Sequence, residues 1–218
     1  KIAPLIIGKD CLDQEELDNV MIDLDNTVNK SKLGANAILA VSMGICRLAA
    51  KASGLEPFTY LNRTFFATKP RMPTPLFNVI NGGKHADSGL DIQEYFLIPQ
   101  RGSFFTKLHK GVLVFHGLKE VLLAHNFSVG VGDEGGFAPC LKKNIEPFAL
   151  INQAIEKSGF SIGKDFRLGI DAAASEFYDG STELYRLKLD KKQLDYQKLT
   201  ELYQAWVDKY QLEIIEDG

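Results

Sequence analysis

From residue 76 onward the chain alternates short apolar runs with longer segments of helical periodicity. Each run is rich in Val, Ile, Leu or Phe and has the length of a strand, and the segments between the runs place apolar residues three and four apart. This alternation predicts an α/β fold with parallel strands joined by crossover helices. The predicted strands are 76–80, 95–98, 128–131, 167–170 and 212–215, with 185–189 as a further candidate, and the predicted helices are 106–124, 145–157 and 199–209.

The first part of the chain has a different, helical character. Asp13 followed by Glu16 is the pattern of a capping box and predicts a helix start, and residues 33–52 predict a second helix rich in alanine. Three prolines between residues 68 and 75 then interrupt any regular element. We therefore expect a domain boundary there, with a helical domain at 1–68 and the α/β domain at 69–218.

Composition narrows the class of protein. The 218 residues are 45% hydrophobic and 24% charged, as in ordinary globular proteins, and the net charge of −3 offers no basic surface for nucleic acid. The three cysteines are odd in number and lack metal-type spacing, which favours a reducing compartment and hence a cytoplasmic location. We expect no membrane span, because the most apolar segment contains Asn36, Ser42 and Arg47.

Acidic residues follow three successive predicted strands of the α/β part. Glu134 comes after one strand, Asp171 after the next and Glu216 after the third, at intervals of roughly one βα unit of a barrel. The ends of parallel strands form the face of a barrel where active sites lie, so these carboxylates are expected to converge. Carboxylates without a partnering His or Cys suit Mg²⁺, with Asp171 and Glu216 as the candidate ligands.

Glu134 has a distinctive glycine-rich setting, Gly132-Asp133-Glu134-Gly135-Gly136. Glycines let the backbone turn sharply or approach a ligand closely, which suits a proton-transfer group that faces a small substrate. The same residue types are also the commonest components of a solvated turn. The segment alone therefore leaves both interpretations open.

Five motifs, which follow one another along the chain, resemble those of the enolase (phosphopyruvate hydratase) family, of the bacterial type. The resemblance covers nearly the whole chain and includes an alanine-rich helix of the amino-terminal domain. It implies half of an enolase-type (β/α)8 TIM-like barrel at 69–218, preceded at 1–68 by the helical remainder of an α+β amino-terminal domain. The motifs are Asn78-Val79-Ile80-Asn81-Gly82-Gly83-Lys84-His85-Ala86-Asp87, Asp91-Ile92-Gln93-Glu94-Tyr95, Val131-Gly132-Asp133-Glu134-Gly135-Gly136-Phe137-Ala138-Pro139, Asp171-Ala172-Ala173-Ala174-Ser175-Glu176-Phe177 and Ile215-Glu216-Asp217-Gly218.

The resemblance implies a glycolytic lyase, a hydro-lyase that reversibly dehydrates 2-phosphoglycerate to phosphoenolpyruvate with Mg²⁺. Enolase-superfamily enzymes use a lysine or histidine base, with one or two Mg²⁺ ions that stabilise the ene-diolate. Matched position by position, Glu134 corresponds to the general acid, and Glu94 is the second catalytic carboxylate and a substrate contact. His85 and Gln93 match substrate-binding positions, and Asp171 and Glu216 match the first two metal ligands.

The family's third metal ligand and base lysine have no counterpart in these residues and are expected beyond Gly218. The 218 residues are therefore expected to be an internal piece of a longer protein and to be inactive by themselves.

Family resemblance further implies a homo-oligomer, such as a homodimer, acting on a small molecule in the cytoplasm, although family members also occur secreted or at the cell surface. Two alternatives stay open. One is another enolase-superfamily lyase that acts on a different carboxylate, and the other is a non-catalytic surface-binding role.

Overall fold

In the computed structural model, which describes residues 1–218, the chain divides into two units between Arg71 and Met72. The first unit consists of helices α1 (Ala3–Ile6), α2 (Gln14–Asp25), α3 (Ala35–Ala52) and α4 (Pro57–Leu61), followed by a π-helical turn, Asn62–Phe66. The second unit contains β1 (Phe77–Asn81), β2 (Glu94–Pro99), α5 (Phe104–Ala124), α6 (Glu146–Lys157), β3 (Phe166–Asp171), β4 (Tyr178–Asp179), β5 (Leu184–Leu187), β6 (Lys192–Leu194), α7 (Tyr196–Tyr210) and β7 (Leu212–Glu216), with 3-10 turns at Gly83–His85 and Ala174–Glu176.

The first unit is held together by the apolar faces of α2 and α3. Their buried side chains form one small core, made of Leu17, Met21, Ile38 and Ile45. Asp13 is the residue before the first turn of α2, but its side chain accepts no capping hydrogen bond. Glu16 instead pairs with Lys9, so the predicted helix start is confirmed while the predicted capping box is not formed.

By length and composition, α3 would be long enough to cross a membrane, with a mean hydropathy of 1.3 over 18 residues. Asn36, Ser42 and Arg47, which led us to expect no spanning helix, do not lower the mean hydropathy of α3 below the value typical of one. Length and hydropathy are nevertheless weak evidence, because helices of globular domains meet the same criterion. We continue to expect no span.

The main sheet of the second unit has the strand order β1-β2-β3-β7. The strands β3 and β7 are parallel, but β2 runs antiparallel to both of its neighbours, β1 and β3. The prediction of uniformly parallel strands is therefore wrong for β2. The physical reason is the connection between β1 and β2, which contains only a 3-10 turn instead of the helix that a parallel crossover usually requires. Strands β4, β5 and β6 form a separate small antiparallel sheet.

The predicted strand at 128–131 is absent. Ser128 and Gly130 are exposed, and Val131 forms only an isolated bridge with Phe137. Phe137 itself occupies the free edge of β1, since its N–H donates to the Val79 carbonyl (2.9 Å) and its carbonyl accepts from the Asn81 N–H (2.9 Å). The segment therefore folds back as a loop beside β1, and only Phe137 pairs with the backbone of that strand.

Aromatic side chains join the sheet to its covering helices. Phe148 of α6 is fully buried, with its ring centroid 5.4 Å from that of Tyr95 on β2. The same ring lies 5.6 Å from Trp206 and 4.7 Å from Tyr210 of α7. One side chain thus connects two helices to the strand that begins with Glu94.

We predict that Phe148→Ala lowers the free energy of unfolding by about 3–5 kcal/mol, because it opens a cavity that three aromatic rings line. Phe105→Ala, at a position of α5 that is 78% exposed, serves as the control and should change it by less than about 0.5 kcal/mol. Urea unfolding of both variants measures the difference. Equal losses would show that Phe148 does not join these elements.

Candidate active site

Polar side chains form a row along one edge of the main sheet. Asn81, Glu94, Asp171 and Glu216 are successive cross-strand partners on β1, β2, β3 and β7. Because β2 is reversed, its first residue lies beside the last residues of the other three strands. Three carboxylates therefore share one edge of the sheet, although only two of them follow strands in the sequence.

Asp171 is a buried carboxylate whose two oxygens each accept one hydrogen bond. Gln93 Nε2 donates to Oδ2 at 2.9 Å, and the Ala173 N–H donates to Oδ1 at 3.0 Å. No lysine, arginine or histidine side chain of the 218 residues pairs with it. A buried carboxylate with remaining lone pairs and no cationic partner, next to the exposed Glu216, has the chemistry of a site for a hard cation such as Mg²⁺.

Glu94 is the centre of the charged group. It is 8% exposed, and burial raises its pKa to about 8, with further contributions from a hydrogen bond to Glu134 and from the charges of Glu134, Asp171 and Glu216. His85 Nδ1 lies 3.1 Å from its Oε1 but is not aligned with it for a hydrogen bond. Burial therefore favours the protonated form of Glu94 near neutral pH.

Glu134 has the opposite electrostatic character. Its side chain is half exposed, and the hydrogen bond that it accepts from Glu94 lowers its pKa, helped by His85 and by the Asn78 amide against a smaller effect of desolvation. Asn78 Nδ2 lies 3.4 Å from Glu134 Oε2, and His85 Nδ1 lies 3.7 Å from the same oxygen. The opposite directions of the two pKa shifts favour a proton on the buried Glu94 and an ionised Glu134.

Gly132 allows the Glu134 loop to pass close to the residues below it. A Cβ at this position would lie 2.6 Å from the His85 carbonyl oxygen and 2.7 Å from Asn81 Nδ2. The next residue, Asp133, donates its N–H to the same His85 carbonyl at 3.1 Å. The glycine thus permits close packing of one site loop on another, which brings Glu134 and His85 together.

The ligand atoms of His85, Glu94 and Glu134 lie within 4.8 Å of one another, a spacing that could also hold a metal ion. A carboxyl group must lose its proton before it binds a metal. Metal binding by this cluster would therefore require Glu94 to release the proton that its burial favours.

The structure brings the six predicted site residues into two neighbouring groups. Asp171, Glu216 and Gln93 form one group, and His85 and Glu134 form the other, with Glu94 between them. Glu134 was expected to join Asp171 and Glu216 directly. It contacts Glu94 instead, because it lies on a loop beside β1 and not at the end of a strand.

Sequence reasoning missed several neighbours of the site. Asn78 contacts Glu134, and Asn81 is fully buried beneath the glycine loop, with both of its side-chain polar atoms unpaired. Lys84 Nζ also lies 2.5 Å from Glu176 Oε2, an ion pair that the sequence did not predict. The sequence did contain a signal for Asn78 and Asn81, because asparagine is uncommon in strands and both residues lie in the strand directly before Gly82.

Two family models match this chain. "Enolase, C-terminal TIM barrel domain" matches residues 69–218, and "Enolase, N-terminal domain" matches residues 1–61. The chain belongs to the enolase family. Its main sheet is thus part of an enolase-type TIM-like barrel, which confirms the predicted fold class, and its domains are those of an enolase-superfamily lyase, a family that generally depends on a metal ion.

The raised pKa of Glu94 predicts how stability depends on pH. Folded Glu94 binds its proton up to about pH 8 and the unfolded group only up to about 4.5, so the folded state holds more protons between these values and its stability falls as pH rises. Glu94→Gln should remove this decline. Between pH 5 and pH 9 its free energy of unfolding should rise by about 1–2 kcal/mol relative to that of the wild type, after allowance for solvent screening.

The measurement is chemical unfolding of both proteins across this pH range with a chelator present, so that no bound cation changes the charges nearby. Glu156→Gln, on the exposed face of α6, is the matched control and should leave the wild-type slope unchanged. A Glu94→Gln slope equal to that of the wild type would show that Glu94 is ionised throughout.

Proposed function

We propose that this chain belongs to a bacterial-type enolase that reversibly dehydrates 2-phosphoglycerate to phosphoenolpyruvate with Mg²⁺. The observation that carries the proposal is the placement of Glu94 and Glu134, whose carboxylate oxygens lie within 4.8 Å of each other, beside an edge that carries Asp171 and Glu216. The pKa of Glu94 is raised by burial and that of Glu134 is lowered by its hydrogen bond to Glu94, which suits a pair that exchanges a proton. Dehydration requires a proton donor for the departing C3 hydroxyl and positive charge to balance the substrate's acidic groups. The family match supplies the reaction class, and the Ile215-Glu216-Asp217-Gly218 motif supports the bacterial type.

Glu134 is the residue that we assign to contact the leaving hydroxyl. Its side chain is half exposed and can reach a substrate, whereas that of Glu94 is only 11% exposed. At neutral pH the proton resides on Glu94 and is passed along the hydrogen bond to Glu134 as the C3–O bond breaks, so that the hydroxyl leaves as water. Glu94 is thus the proton store and Glu134 the donor.

Gln93 and His85 support this arrangement from either side. The Gln93 amide holds the Asp171 carboxylate at 2.9 Å, and His85 Nδ1 lies 3.1 Å from Glu94 Oε1 and 3.7 Å from Glu134 Oε2. We assign both residues to substrate binding. No lysine of this chain is placed at the sheet edge to remove the C2 proton, which is why activity is expected only in the complete enzyme.

Asp171 and Glu216 are the residues that would hold Mg²⁺. Both offer hard oxygen ligands, are direct partners on parallel strands, and lack a lysine or arginine partner. When bound, the ion supplies positive charge that stabilises the negative charge developing on the substrate carboxylate. The protein contributes the orientation of Asp171 through Gln93 and the Ala173 N–H.

In the complete enzyme, Glu134→Gln should lower kcat for 2-phosphoglycerate by a factor of about 10²–10⁴, because an amide cannot deliver the proton. Asp133→Asn is the matched control, since Asp133 is adjacent and exposed, its N–H donates to the His85 carbonyl, and its carboxylate takes part in no ion pair. Its turnover should stay near that of the wild type, as measured by phosphoenolpyruvate absorbance.

Near-normal turnover of Glu134→Gln would remove Glu134 from the role of acid. A wild-type enzyme that fails to convert 2-phosphoglycerate at all would instead favour a superfamily lyase that acts on a different carboxylic acid.

Asp171→Asn should weaken Mg²⁺ binding to the 218-residue chain by about tenfold or more, because it removes the charge of the buried ligand while preserving its shape. Glu213→Gln is the control on the same strand as Glu216. The Glu213 carboxylate accepts a hydrogen bond from the Gln100 amide at 2.5 Å and does not belong to the row of Asn81, Glu94, Asp171 and Glu216. Calorimetric titration with MgCl2 compares the variants. Equal affinities for all three proteins would place the ion elsewhere.

A further inference from the structure

Asn144 is a fully buried polar side chain that lies just before α6, far in sequence from the Glu94 strand. It forms two reciprocal hydrogen bonds with Asp91. The Asp91 N–H donates to Asn144 Oδ1 at 2.8 Å, and Asn144 Nδ2 donates to Asp91 Oδ2 at 2.8 Å. The Tyr95 hydroxyl donates to the Asn144 carbonyl at 2.7 Å. Residues on both sides of Gln93 and Glu94 are thus tied to this one asparagine.

The Asp91 carboxylate extends this network to the small sheet. It accepts the N–H of Lys188 at 2.9 Å and that of Leu189 at 3.0 Å, both in the turn between β5 and β6. The Asn144 N–H in turn donates to Asp190 Oδ1 at 3.1 Å. The asparagine is therefore fixed from two directions and can act as a rigid anchor.

The anchor lies where the strand ladder ends. From Glu94 to Pro99, β2 is paired with β3 residue by residue, but Gln93 lies outside this ladder and is joined to β3 by its N–H bond to the Asp171 carbonyl (3.1 Å) and by its amide bond to Asp171 Oδ2 (2.9 Å). On its other side, the Gln93 carbonyl accepts the Gly82 N–H at 2.8 Å. A strand end frays unless further contacts hold it. The hydrogen bonds of Asp91 and Tyr95 provide such contacts one or two residues to either side of the Gln93–Glu94 pair.

We propose that Asn144 is a positioning residue that holds Gln93 and Glu94 in register with Asp171. This role rests on the proposed function of these side chains as substrate contact and proton store. Asn144 touches no reacting group and acts only through Asp91 and Tyr95. Its loss should let the Gln93 amide leave Asp171 and let the Glu94 carboxyl leave Glu134, so that turnover falls more than substrate affinity.

The test uses Asn144→Asp, which keeps the size of the side chain but places two carboxylates face to face. Hydrogen exchange at the Gln93 N–H of the 218-residue chain should become at least tenfold faster relative to that of Leu97, in the middle of the same strand. In the complete enzyme, kcat should fall at least tenfold with a smaller change in KM. The swap Asp91→Asn with Asn144→Asp restores an amide–carboxylate pair and should recover part of both losses.

Ile155→Ala is the control for general destabilisation, because Ile155 is fully buried in α6 and takes part in none of these hydrogen bonds. It should accelerate exchange at Gln93 and Leu97 alike. The positioning role would be overturned if Asn144→Asp accelerated hydrogen exchange at Gln93 and Leu97 equally. It would also be overturned if the double variant regained neither the slow exchange at Gln93 nor any kcat. Absence of wild-type turnover with 2-phosphoglycerate would refute the proposed function instead, and the exchange data would still decide whether the anchor exists.

Discussion

The reversed direction of β2 determines which side chains meet at the functional edge. In a uniformly parallel sheet the first residue of β2 would lie at the opposite edge from Asp171 and Glu216. Antiparallel pairing places Glu94 directly opposite Asp171, and it places Gln93 where its amide reaches the Asp171 carboxylate. The short β1–β2 connection that forces this reversal also carries His85. One topological feature therefore brings together Glu94, the proposed proton store, and the candidate metal ligands.

Four carboxylates close to one another would repel strongly if all were ionised. Two unit charges 4 Å apart interact by about 4 kcal/mol at the effective dielectric constant of a protein surface. The site relieves this repulsion by keeping a proton on Glu94, to which the charges of Asp171 and Glu216 contribute. Neutralising those two charges would remove part of the reason for the raised pKa. Cation binding at the edge and proton release from Glu94 are thus thermodynamically linked.

The sequence alone predicted the elements whose patterns are local. The ends of β3 and β7, helices α5 to α7 and the adjacency of Asp171 and Glu216 followed from apolar periodicity and βα spacing. The strand at 128–131 was predicted wrongly, because a short Val and Gly run does not reveal that Phe137 takes the edge of β1. Asn144 could not be found either, since its partners lie about fifty residues away in both directions and an isolated asparagine carries no pattern.

The division of roles that we propose for Glu94 and Glu134 follows from two requirements that one carboxyl group cannot meet. A group that retains a proton at neutral pH must be shielded from water, whereas a group that delivers a proton to a substrate must be reachable. Glu94 meets the first requirement because the strand ladder and the Asn144 network hold it in a buried position. Glu134 meets the second because it lies on an exposed glycine loop. The hydrogen bond between the two side chains would let a proton held on the buried Glu94 reach the substrate through the exposed Glu134.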